Sequence, residues 1–137
     1  MNSLLLIHAA TTFALIGLIW TIQLVHYPLF AEVGRENFPE YHARHCRRIA
    51  PLVAPLMLGE AITAGLLIVW GAREPWLLGS FLFIALSWLS TWRLQIPLHA
   101  RLANGFDAAA QHRLVATNWC RTAAWTVRGI ILLCIMA

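Results

Sequence analysis

Four long apolar runs divide the chain, and each carries polar residues at helical spacing. The runs cover about residues 4–26, 51–70, 76–96 and 116–137. Each is long enough to cross a hydrocarbon core of ~30 Å as a helix. In the first, His8, Thr12, Gln23 and His26 fall on one face, and Pro55, Gly59, Glu60 and Thr63 mark the second. Ser87, Thr91, Gln95 and His99 follow at steps of four in the third, and Gln111, Asn118, Arg121, Trp125 and Arg128 form a stripe in the fourth. Such stripes must face inward, because lipid cannot satisfy polar groups. The pattern predicts an all-α, integral membrane, up-down four-helix bundle, with residues 1–137 as a single transmembrane domain.

The connections carry their own signals. Pro28 and Pro97 mark the ends of the first and third runs, Pro51 opens the second, and Pro55 is expected to bend it. Asn37-Phe38-Pro39-Glu40 reads as a helix start: Asn37 as cap, Pro39 in the first turn and Glu40 in the capping-box position. This predicts a short interfacial helix in the first loop, from about Phe38 to Ile49. Asn104-Gly105 makes a turn, and the last helix begins near Asp107. No internal repeat is apparent.

Composition sharpens the class. The chain is 60% hydrophobic and 12% charged, about half the charge of a soluble domain. It has no lysine, so every fixed positive charge is an arginine. Arg35, Arg44, Arg47, Arg48, Arg101 and Arg113 gather in loops one and three, against Arg73 on the other side. The positive-inside rule therefore places loops one and three in the cytoplasm and both termini outside. The arginines flank apolar spans, which argues for a lipid bilayer as partner and against nucleic acid. Cys46, Cys120 and Cys134 form no CxxC pair, so neither a zinc knuckle nor a disulfide framework is indicated. No positive segment precedes the first run, which reads as a retained span and not a cleaved signal peptide.

The candidate chemistry lies at one level. The topology brings His26, His42, His45, His99 and His112 to the cytoplasmic end, with Glu32, Glu36, Glu40 and Asp107 beside them. Several imidazoles converging on one ion can hold iron, copper or zinc. A haem between His26 and His99 is a narrower option. The plainer alternative is a set of interfacial imidazoles bonded to lipid or water. Glu60 lies deeper, roughly 13 Å along the helix from Pro51. A carboxylate there needs a partner; Arg128 is the first choice and Arg121 the second. A structural ion pair, a protonated Glu60 hydrogen-bonded to Thr or Trp, or a catalytic, proton-relaying pair all fit. Arg93, near a span end, reads as snorkelling to headgroups.

Two blocks, HYPLFAEVGRENFPEYHARHCRRI and LQIPLHARLANGFDAAAQHRLVATNWCRTAAWTVRG, resemble small bacterial four-span membrane proteins that are uncharacterised. The second is also loosely similar to the anthrone-oxygenase-like family. Pro97, Leu102, Asn118, Trp119 and Arg121 match that pattern in kind, whereas His99 and the His42/His45 pair depart from it. The resemblance covers roughly the last third of the chain and implies a bacterial inner-membrane oxygenase acting on a flat aromatic or quinol-like substrate. Asn118, Arg121 and Trp119 would then line the pocket.

The first functional reading is an oxygenase-like oxidoreductase. His26, His42, His45, His99 and His112 would hold a metal, Asn118 and Arg121 would orient substrate, and Glu60 with Arg128 would act deeper. The alternative is a non-enzymatic accessory, assembly or small transport subunit whose stripes serve helix packing. Either could work as a homo-oligomer.

Overall fold

The computed structural model describes residues 3–137. Four long helices account for most of them: α1 Ser3–Glu32, α2 Phe38–Val69, α3 Pro75–Leu102 and α4 Ala108–Met136. Each is long and apolar enough to cross a membrane, and no strand occurs among the described residues. The chain is an all-α, up-down four-helix bundle of the multi-pass membrane class. α1 packs along α2 and α4, and α3 packs along α4, but α2 and α3 make few direct contacts. α4 approaches α1 closely at Gly129, where an added Cβ would run into the Ile16 side chain.

Helices α1 and α3 do not end at their prolines as the sequence pattern suggested. Each contains one π-helical stretch, Ile22–His26 in α1 and Thr91–Gln95 in α3. The Tyr27 N–H donates to the Ile22 carbonyl, and the Ile96 N–H donates to the Thr91 carbonyl, both five residues back. Pro28 and Pro97 follow one residue later. A proline ring normally collides with the carbonyl four residues before it. Those carbonyls, on Leu24 and Arg93, belong to the widened turns, and such a turn relieves the collision. Both helices therefore run on, to Glu32 and Leu102. The connections 33–37 and 103–107 come next, and each leads into a long helix. The two hairpins thus follow one plan that their side chains conceal.

The first-loop helix also differs from expectation. It forms from Phe38 but is continuous with the second span as α2, with Pro51 and Pro55 both inside it. Each proline forfeits one backbone bond, and both lie on the exposed face, so Pro55 does not join the inner stripe. Asn37 stands at the N-cap without a side-chain capping bond, and Glu40 pairs with Arg44 one turn on. α4 is capped as its sequence suggests: the Ala110 N–H donates to Asp107 Oδ1 at 3.0 Å, and Arg101 donates to Oδ2 at 2.8 Å. The Ala110 amide, aided by Arg101, holds the Asp107 carboxyl below the usual carboxylate range.

The interior is two apolar clusters separated by a polar layer. One cluster includes Leu15, Met57, Leu114 and Trp125; the other includes Leu4, Leu67, Leu77 and Leu132. Between them, Arg128 Nη1 donates to Glu60 Oε1 at 2.9 Å, and both side chains are fully buried. The same oxygen accepts from Thr12 at 2.8 Å, and the Trp125 indole donates to Oε2 at 3.0 Å. Arg128 Nη2 meets His8 Nε2. An arginine can only donate, so this contact assigns the lone pair to Nε2 and the His8 proton to Nδ1. Nδ1 lies 2.6 Å from Thr63 Oγ1, and the Thr63 hydroxyl donates in turn to the Gly59 carbonyl at 2.7 Å. Arg128 also lies over the Phe81 ring at 5.7 Å. One network thus ties α1, α2 and α4 together and touches α3.

Removing one partner of such a pair leaves an uncompensated buried charge, at a cost of about 3–5 kcal/mol. Arg128→Met is therefore expected to destabilise the bundle by about that much in detergent unfolding. Glu60→Leu combined with Arg128→Met should recover most of the loss. If the double variant is as unstable as the single one, the pair is not the source of the cost.

Candidate functional site

The candidate site lies where the two π-helical segments end. His99 sits one turn beyond the segment in α3, and Tyr27 directly follows the segment in α1. His42 and Cys46 come from α2, four residues apart and therefore on one face. His42 Nε2 lies 2.9 Å from His99 Nδ1, and Cys46 Sγ lies 3.7 Å from His42 Nε2 and 3.8 Å from His99 Nδ1. The three groups offer ligand atoms all within 4.8 Å of one another, so they could hold a metal ion. Two imidazoles and a thiol form a donor set suited to zinc, copper or iron.

A ligating histidine needs its second nitrogen fixed. Here His99 Nε2 is 3.0 Å from the Tyr27 hydroxyl. With Nδ1 turned to an ion, the His99 proton resides on Nε2 and is donated to the Tyr27 oxygen. Arg121 Nη2 approaches the same oxygen at 3.5 Å. Both lone pairs of that oxygen then have donors, and the phenolic proton is free to point elsewhere. Arg121 is itself held firmly: Nε donates to Asn118 Oδ1 at 3.0 Å and Nη1 to Thr91 at 3.0 Å. Asn118 is anchored in turn, donating to Gln23 Oε1 at 2.8 Å.

Beside these groups is a cavity of about 740 Å³ bounded by all four helices. Tyr27, Cys46, Thr91, His99 and Arg121 line its polar end, and Met57, Trp88, Trp92 and Trp125 are among its apolar walls. This volume falls in the range of ordinary small-molecule pockets, mostly apolar with a few convergent polar groups. The end facing the arginine-rich loops is closed by rings. Phe30 and Phe38 are fully buried, Phe38 stacks on His42 at 5.6 Å, and Phe106 meets Phe38 edge-on at 5.1 Å.

The residues singled out in the sequence have separate fates. His42 and His99 come together as donors. His45 lies alongside, stacked on His99 at 6.1 Å, and His26 is 5.6 Å from His45; neither joins the three-atom group. His112 is exposed on α4, with no side-chain hydrogen bond or ring contact among the described residues. Arg121 lines the cavity, while Asn118 stands behind it as a positioning residue. Trp119, which the family resemblance placed in the pocket, is instead exposed and packs edge-on against Trp20 at 5.6 Å. Glu60 and Arg128 pair with each other and do not line the cavity, which only their neighbour Trp125 reaches.

Two members were missed in the sequence. Cys46 was discounted for lack of a CxxC partner, although its spacing of four from His42 could have flagged it. Tyr27 carried no signal, because only the widened turn before it aims it at His99.

The hydrogen bond that His99 donates to Tyr27 is expected to tune any ion held at His99. Tyr27→Phe should leave the fold intact and weaken metal binding about 10–100-fold, the range for loss of such a supporting contact, in competition titrations against a chelator. Unchanged affinity would show that Tyr27 does not orient His99. No family model, curated protein or solved structure matches this chain.

Proposed function

We propose that the protein is a metal-dependent membrane oxidoreductase, oxygenase-like in kind, acting on a flat aromatic or quinol-like ring. One observation carries the reading: Cys46 and His99 belong both to the donor set and to the cavity lining. An ion held by His42, Cys46 and His99 would therefore border the space where a ring binds. Iron or copper there would supply one-electron chemistry toward dioxygen. The chain's own residues do the rest. Tryptophan faces hold the ring. The Arg121 guanidinium and the Tyr27 hydroxyl face a substrate oxygen, with Tyr27 able to give or share its proton there. The apolar walls keep water from the reacting atoms.

Other features support the same direction. The likeness of Pro97, Leu102, Asn118, Trp119 and Arg121 to the anthrone-oxygenase-like pattern suggests a similar substrate class, although Trp119 lies outside the cavity. The bias of arginines to loops one and three orients the centre toward the cytoplasmic face of a bacterial inner membrane. Glu60 and Arg128, buried and bonded only within their own network, serve the bundle and not the reaction.

The test is elemental analysis with absorption spectroscopy on purified protein. Stoichiometric iron or copper is expected, lost in His99→Ala and in His42→Ala with Cys46→Ala, and retained in His112→Ala. Zinc alone would remove the redox reading, and absence of any metal would remove the centre.

A further inference from the structure

The cavity has an opening at its side. At the arginine-rich end the rings of Phe30, Phe38 and Phe106 pack against one another and His42, with Phe30 and Phe38 fully buried. The side wall is different. α2 and α3 make few direct contacts, and residues of both helices line the cavity while remaining exposed at the bundle surface. Ala50, Ala54 and Leu58 do so on α2, and Trp88, Trp92 and Ile96 on α3. A residue that is both cavity wall and outer surface marks an opening. This one lies along the apolar lengths of two helices that are long and apolar enough to cross a membrane.

We infer that the cavity takes its ligand sideways from the bilayer, between α2 and α3, and that the ligand is a tailed amphiphile. Its oxygen-bearing ring would sit at Tyr27, His99 and Arg121, and its alkyl or prenyl tail would lie in the gap. This rests on the cavity being the substrate site, but not on a metal being bound there. The length fits: from Cys46 to Leu58 the gap follows α2 for about 18 Å. The small side chains of Ala50 and Ala54 leave room on one side, and Trp88 and Trp92 offer flat surfaces on the other. Lipid tails are as apolar as the walls, so the tail adds little affinity over remaining in the bilayer. Its placement follows from the head: a ring seated at the closed polar end leaves only the lateral gap for whatever is attached to it.

The test is photolabelling in nanodiscs with a decyl hydroquinone carrying a diazirine at the tail end. A phospholipid carrying the same group serves as control. Labels mapped by mass spectrometry are expected on residues 53–58 and 88–92, displaced by excess unlabelled decyl hydroquinone. Ala54→Trp, which adds bulk at an exposed position in the gap, should remove them. Labelling spread over the lipid-facing surface as with the phospholipid would overturn the proposal. So would labels in the gap that survive Ala54→Trp or are not displaced. The experiment is run on metal-depleted and metal-loaded protein. Gap labelling in protein that binds no metal leaves the route standing without the centre; bound metal without gap labelling does the reverse.

Discussion

A hydrocarbon interior offers no water, so every polar group placed there must find its partner within the chain. That constraint organises this bundle. It gathers His8, Thr12, Glu60, Thr63, Trp125 and Arg128 into one layer, in which only Arg128 Nε lacks a hydrogen-bond partner among the buried side-chain atoms. It also gathers Gln23, Asn118, Arg121, Thr91, Tyr27 and His99 into a second network nearer the arginine-rich end. The two differ in what they leave over. In the deep layer a carboxylate meets a guanidinium and the charges cancel, which ties helices together and presents no net charge to the cavity. In the second, arginine has no carboxylate partner, and its donors are met by neutral oxygens. Its charge remains to be felt in the cavity it lines.

The backbone makes the second network possible. Ordinary helical turns through residues 22–28 and 91–97 would set the Pro28 and Pro97 rings against the carbonyls four residues back. The widened turns absorb the prolines and carry α1 and α3 onward, placing Tyr27 and His99 at the level of His42 and Cys46. Irregular turns of this kind are frequent at functional sites. Here they occur at matching places in two hairpins, so one local device used twice builds both sides of the same centre.

Much of this was legible in the residues. Apolar run length gave the four spans, and the three-to-four spacing of polar positions gave their inward faces. Depth alone paired Glu60 with Arg128. The prolines misled, because a proline in a sequence reads as a helix end, whereas the structure keeps α1, α2 and α3 continuous through them. The site was only half legible. Topology assigns a residue a depth but not an azimuth, so five histidines seemed equivalent until side-chain direction separated His42 and His99 from His26, His45 and His112. Cys46 and Tyr27 escaped for the same reason: their part depends on helix rotation and on a π turn, neither of which composition records.

The donor set itself is the decisive feature, and X-ray absorption at the metal edge reads that set directly. With zinc as a spectroscopic probe, one sulfur at about 2.3 Å and two imidazole nitrogens at about 2.0–2.1 Å are expected. The sulfur shell should vanish in Cys46→Ser. A spectrum of oxygen and nitrogen alone, or a sulfur shell that persists in Cys46→Ser, would contradict a centre built from His42, Cys46 and His99.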